Sequence, residues 1–219
     1  MSGPLALVYR GPATTEGCPE AVAHLLKSSR WDFDVRYVGP DEDLKLKSKN
    51  LDGAALYAQP GGGTLEDAYP HLKKRRDAVR EFVAGGGAYL GFCLGGYLAG
   101  ATPGFGLLPG DTDQYIGTKA ATVSHDGNAL VRVYGSGRAH TLFFQDGPYF
   151  WLEPGAAAQV LARYANQEIA ALVTGFGAGK VGVVGPHPEA TEDWFTDVGL
   201  AVPRDGGLGL ELVDAVMAR

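Results

Sequence analysis

Short apolar runs and stretches of helical period alternate through the first half of the chain. Leu5–Tyr9 is unbroken in its apolarity and predicts a strand buried on both faces. Residues 19–29 set Ala21, Val22, Leu25 and Leu26 at helical spacing. Asp34–Val38 alternates as a second strand, 54–58 reads as a third, and Ala88–Phe92 as a fourth. Between the third and fourth, residues 66–84 read as one long helix closed by Gly85-Gly86-Gly87. A further helix is expected over 94–101. Strands alternating with helices predict an α/β fold: a mostly parallel sheet sandwiched by helices.

The texture changes over residues 104–155, where helical periodicity fades and β-rich pieces such as 130–134 and 140–145 appear. This predicts an antiparallel excursion at a sheet edge. The segment Gln145-Asp146-Gly147-Pro148-Tyr149-Phe150-Trp151 reads either as the lining of a pocket or as a packed corner. Residues 159–164, 170–174 and 181–184 return to the sheet, the last two as a hairpin, and Leu208–Met217 closes the chain as a helix. With 219 residues and no linker, repeat or low-complexity tract, one domain over 1–219 is expected.

Charge and cysteine usage narrow the classes. A formal net charge of −6 offers no basic field for phosphate, so nucleic acid is not an expected partner. The run Lys73-Lys74-Arg75-Arg76 is followed by Asp77 and Glu81 and reads as a solvated helix face. No apolar run approaches membrane-spanning length. Two cysteines make no disulfide framework, and a soluble cytoplasmic protein is expected. His24, His71, His125 and His140 lack ligand spacing, so no metal and no cofactor are expected. The segment Gly175 to Lys180 is one residue short of a phosphate loop and continues with Val181, so nucleotide binding is not read there.

The candidate chemistry lies in Ala88-Tyr89-Leu90-Gly91-Phe92-Cys93-Leu94-Gly95-Gly96. An apolar run ends in a cysteine with glycine two residues to either side, the form of a nucleophile elbow. Downstream, Gly185-Pro186-His187-Pro188-Glu189 offers a base and its orienting acid on a Pro-bracketed segment. In a parallel sheet the loops after the strands' carboxyl ends gather on one edge. That edge would collect Cys93 as nucleophile, His187 as base, Glu189 as orienting acid, and the Pro60-Gly61-Gly62-Gly63 loop. Backbone N–H groups of Gly61, Gly62, Gly63 and Leu94 would form an oxyanion hole. Gln59, Tyr97 and Gln145 are candidate substrate-binding residues. Cys18, in the loop after the first strand, is a candidate redox partner for Cys93, against the plainer reading of a free loop thiol.

A glycine oxyanion loop, then a Gly-x-Cys-x-Gly elbow, then His-x-Glu near the end, in that order, resembles the class I glutamine amidotransferase-like superfamily over nearly the whole chain. Leu7-Val8-Tyr9-Arg10-Gly11-Pro12, the elbow extension to Tyr97, and Gly185 to Glu189 look most like the glutaminase-like N-terminal domain of biotin–protein ligases. The resemblance implies a flavodoxin-like fold and a Cys93–His187–Glu189 triad that hydrolyses a C–N amide bond of a small molecule or peptide. Glutaminases of the superfamily carry glutamine four residues after the nucleophile; Tyr97 stands there, so glutamine itself is not implied as substrate. Two alternatives stay open: a binding or regulatory module on the same fold, and a dienelactone-hydrolase-like esterase, whose elbow looks similar. The latter fold orders its partners nucleophile, acid, histidine; here the histidine precedes its nearest acid. Oligomeric state is not legible.

Overall fold

The computed structural model describes residues 3–135 and 137–218. Its centre is an 11-stranded mixed sheet. The strands are β1 (Leu5–Tyr9), β2 (Asp34–Val38), β3 (Leu56–Gln59), β4 (Ala88–Phe92), β5 (Gly110–Gln114), β6 (Ala129–Gly135), β7 (Arg138–Phe144), β8 (Pro148–Leu152), β9 (Ala158–Tyr164), β10 (Ile169–Phe176) and β11 (Gly179–Val184). The order is β2-β1-β3-β4-β11-β10-β9-β6-β7, with β5 and β8 paired beside β10. The strands from β2 to β11 in that order run parallel. The remainder is antiparallel, as the loss of helical period after residue 104 predicts.

Period-two alternation explains why the inner parallel strands are apolar on both faces. Ala6 and Val8 of β1 enter one core, with α1 (Cys18–Ser28) and α7 (Leu208–Met217) above them. Leu7 and Tyr9 enter the other, under α2 (Ser48–Leu51), α3 (Leu65–Leu72), α4 (Arg76–Ala84) and α5 (Leu94–Ala99). Each residue of the inner strands β3 and β4 therefore meets a helix layer on one side or the other, while β2, at the sheet edge, exposes Arg36. Among the described residues no helix is long and apolar enough to cross a membrane.

The long helix expected over 66–84 is interrupted by a turn of 3-10 helix, Lys73–Arg75, so that α3 and α4 are separate. Pro70 lies inside α3 and lacks the N–H that would bond back along the helix. The antiparallel excursion is also larger than its apolar pieces suggest, since β5 and β8 join it. β5 (Gly-Asp-Thr-Asp-Gln) has no apolar run; its five residues pair backbone to backbone with β8.

Candidate active site

The carboxyl ends of β1, β3, β4 and β11 deliver four loops to one edge of the sheet. The tight turn after β4 determines Cys93. Its φ is 47° and its ψ −105°, between β4 and the first residue of α5. L-residues seldom occupy such a conformation, and it is held because the neighbouring glycines let the backbones cross. A β-carbon on Gly91 would come within 2.3 Å of the Gly95 carbonyl. The Tyr89 hydroxyl donates to that same carbonyl at 2.7 Å and pins the turn from below.

His187 follows β11 on the segment 185–190. Its backbone N–H donates to the Phe143 carbonyl at 2.8 Å, so the end of β7 anchors it. The ring is buried with Phe143 and Trp194 against it, at centroid distances of 6.0 and 5.2 Å. Trp194 belongs to α6 (Glu192–Thr196). Nδ1 lies 2.8 Å from Glu189 Oε1, whose side chain is fully buried. That contact leaves Nε2 as the ring atom for other work. Burial opposes a charged ring, but the charges of Glu189 and Cys93 and hydrogen bonds to both outweigh it. Together they push His187 from its ordinary 6.5 up to about 10.

The thiol of Cys93 donates to the Gln145 carbonyl at 3.6 Å. Facing it is the loop after β3. The Thr14 hydroxyl donates to the Gly61 carbonyl at 2.7 Å, and Gly62 and Gly63 take φ of 95° and 80°. Left-handed backbone at two successive positions turns the loop's peptides, and only glycine does so freely. Gly61 has room for hydrogen alone, because any side chain would strike His187 and Cys93. Leu94 opens α5, where its N–H has no carbonyl within the helix to bond.

A cavity of about 680 Å³ opens above these groups, lined among others by Cys93, Leu94, Gly62, Gly63, Tyr97 and His187. Tyr97 donates its hydroxyl to the Asp146 carbonyl at 3.0 Å. Burial, then the charges of Asp146 and Cys93, push its phenol up. Gln145 also lines the cavity, with its side chain exposed and its carbonyl on the thiol.

Cys18 lies on the cavity wall at the start of α1, and it and Cys93 are both free thiols. Burial, then the charges of Glu189 and Cys93, push Cys18 up to about 12, so it stays protonated.

Gln59 is the candidate that the structure places elsewhere. It is fully buried beneath the glycine loop, outside the cavity lining. Its Oε1 accepts from the Tyr57 hydroxyl at 2.7 Å and its Nε2 donates to the Ala13 carbonyl at 2.9 Å. Both ends of the amide are thus engaged in bracing β3 against the loop after β1.

Nothing in the sequence alone sets Trp194 and Asp146 apart. Trp194 follows His187 closely on a short helix without apolar period. Asp146 sits in the Asp-Gly turn of a segment already marked as a pocket or corner; its φ of 45° is a conformation that Asp tolerates better than most residues. Among the described residues no three His, Cys, Asp or Glu side chains group so as to hold a metal ion.

A family model described as biotin–protein ligase, N terminal, matches residues 5–113. The imidazole glycerol phosphate synthase subunit HisH of Synechocystis is 31% identical over 85 residues, 35% of this chain and 40% of that protein. The biotin–protein ligase of Schizosaccharomyces pombe is 27% identical over 164 residues, 62% of this chain and 25% of that protein. The chain therefore spans well under two thirds of either relative. A solved structure titled as a glutamine amidotransferase superposes with a TM-score of 0.64 at 20% identity, covering 96% of this chain and 98% of that one. At that identity the likeness is one of fold.

Proposed function

This chain belongs to the class I glutamine amidotransferase-like superfamily, near the biotin–protein ligase N-terminal family, and on that premise we propose that it hydrolyses a C–N amide bond with Cys93 as nucleophile. The observation that carries the reading is the alignment of three groups. Buried Glu189 fixes Nδ1 of His187 at 2.8 Å, and the same ring meets Cys93 around Gly61, where an added β-carbon would stand 2.5 Å from His187 Cε1 and 3.3 Å from Cys93 Cβ.

A ring raised to about 10 holds a proton at neutral pH, before any substrate arrives. In the proposed course, the Cys93 proton has already passed to Nε2 of His187, and the sulfur then attacks the amide carbonyl carbon. The carbonyl π electrons move to oxygen, where N–H groups of the glycine loop and of Leu94 meet the negative charge. The C–N bond then breaks as His187 returns its proton to the leaving nitrogen, giving a free amine or ammonia and a thioester on Cys93. Water, losing a proton to His187, attacks the thioester and releases the acid.

Tyr97 supports a substrate other than free glutamine, since a phenol bonded to the Asp146 backbone occupies the place of the glutaminase amide. The sheet topology supports the amidotransferase-like course over the esterase alternative. His187 and Glu189 share one loop after β11, which pairs directly with β4, the strand that carries Cys93.

The test is the rate of alkylation of Cys93 by iodoacetamide against pH, with Cys18→Ser as background and His187→Ala as comparison. The expected result is rapid labelling at neutral pH that falls by about 100-fold without His187, a size usual for loss of a positioned base. Labelling at the pace of an ordinary thiol, unchanged in His187→Ala, would remove the catalytic reading.

A further inference from the structure

The His187 ring has two aromatic neighbours, Phe143 and Trp194, and they are not equivalent. Phe143 is buried, its centroid lies 6.0 Å from that of the imidazole, and its carbonyl accepts the His187 backbone N–H. Trp194 is nearer, at 5.2 Å, and of the two it is the one that lines the cavity. Packing sets its place. Phe195, the next residue of α6, is buried against Phe143 at 5.5 Å, and Trp194 meets the same Phe143 ring at 5.5 Å and 78°. The short helix therefore cannot turn the indole away without drawing a buried phenylalanine out of the core.

Indole and imidazole are tilted at 61°, edge toward face, not stacked. A cation within about 6 Å of a tryptophan centroid is attracted by the negative face of that ring, and more strongly where water is excluded. His187 is only 4% exposed, so a proton on its ring is a cation in such a place. The titratable groups that bear on the ring are Glu189, on its own loop, and Cys93, on the elbow. Gly61, beside Cε1, and Phe143 bring no charge. On α6 itself, Glu192 and Asp193 are exposed to solvent. Cys18, across from Glu189 and Cys93, stays protonated.

We propose that Trp194 is a positioning residue of this site: its indole favours the protonated His187 ring and so keeps the Cys93–His187 pair at rest as thiolate and imidazolium. The proton that leaves sulfur is the one that the indole helps the ring to keep. The proposal rests on the reading of Cys93 and His187 as nucleophile and base, and adds what holds the pair charged.

The experiment follows the titration of His187 by nuclear magnetic resonance at Cε1, in the full chain carrying isotope-labelled histidine, with His187→Ala to assign the signal. The native protein is compared with Trp194→Phe and Trp194→Leu. Trp194 is half-buried, so both variants should remain folded, and their thermal midpoints are recorded alongside. The native titration should lie well above 6.5, the ordinary value. Trp194→Leu keeps an apolar side chain beside the ring but removes the π face, and its His187 midpoint should fall by about one pH unit, the size of a desolvated cation–π contact. Trp194→Phe retains a weaker face and should fall by less.

Equal His187 midpoints in the three proteins, a Trp194→Leu midpoint at or above the native one, or equal falls in the Phe and Leu variants would each overturn the proposal. So would a loss of thermal stability with the titration unmoved, which is the mark of packing alone. The titration needs no turnover, so its failure is separable from that of the amidase reading. Cys93 alkylation that depends on His187, beside a midpoint indifferent to Trp194, would keep the base and remove the indole's part. Alkylation indifferent to His187 would overturn both, leaving a charged histidine beside an indole.

Discussion

Gly61 lies edge-on to the His187 ring: a β-carbon there would stand 2.5 Å from Cε1 of His187 and 3.3 Å from Cβ of Cys93. Neither neighbour has room to retreat, since the ring is fixed by Glu189 and the thiol by the turn after β4. Gly61→Ala should therefore reduce Cys93 alkylation and any amide turnover by about 100-fold, the cost of misplacing reacting groups by about an ångström. Its thermal stability should fall by only about 1 to 3 kcal/mol. A Gly61→Ala protein with undiminished thiol reactivity would contradict this placement of the loop.

Glycines of the two loops should differ sharply in tolerance. A β-carbon on Gly95 would stand 2.0 Å from the backbone carbonyl of Gln59, and neither backbone can yield without opening the elbow. Gly95→Ala should cost about 3 kcal/mol or more, read as the loss of denaturant midpoint. Gly63 faces open space and has only its φ of 80° to set against alanine. Gly63→Ala should cost about 1 to 2 kcal/mol. Equal losses at the two positions would argue against the crossing at Gly95.

Stability should fall as pH rises through the alkaline range, because the folded protein holds the His187 proton more tightly than the unfolded chain. The group's ordinary value is 6.5 and its folded value about 10. Its contribution is thus complete below about pH 6.5 and lost on approach to pH 10. Within that window the slope from this one group approaches about 1.4 kcal/mol per pH unit. Urea midpoints of the native chain and of Glu189→Gln, compared from pH 6.5 to about 9, should converge as pH rises. Parallel profiles would show that Glu189 does not hold the proton.

Replacing Gln59 by leucine should destabilise the fold by about 2 to 5 kcal/mol, since the Tyr57 hydroxyl and the Ala13 carbonyl would both lose a buried partner. The readout is the thermal midpoint. A change confined to substrate affinity, with the midpoint preserved, would return Gln59 to the pocket.

The inner parallel strands were legible because they are buried on both faces and so read as apolar runs, each stopped by glycine, proline or the elbow, and the edge strand β2 was legible from its alternation. The order of the glycine loop, Cys93 and His187 was legible for the same reason: the ends of such strands share one edge. β5 was hidden because its stability comes from ladder bonds to β8, and Gly-Asp-Thr-Asp-Gln shows no apolar face. Gln59 misled because a polar residue at a strand end looks the same whether it faces ligand or braces a neighbouring loop. Asp146 was hidden for a related reason. A turn aspartate is ordinary in sequence, and only the tertiary packing of Gln114, Tyr97 and Cys93 around it sets it apart.

The bond between His187 and Phe143 joins the last-made loop of the parallel half to a strand of the antiparallel arm. The base is therefore seated by chain that lies on the far side of the nucleophile from the glycine loop. During synthesis, Cys93 and its elbow emerge long before the arm and β11 exist. The thiol leaves the ribosome without its partner, as an ordinary cysteine. On the proposed reading, Cys93 gains its base only once β11 has been made and has paired with β4, and a chain cut short before that point carries the cysteine without it.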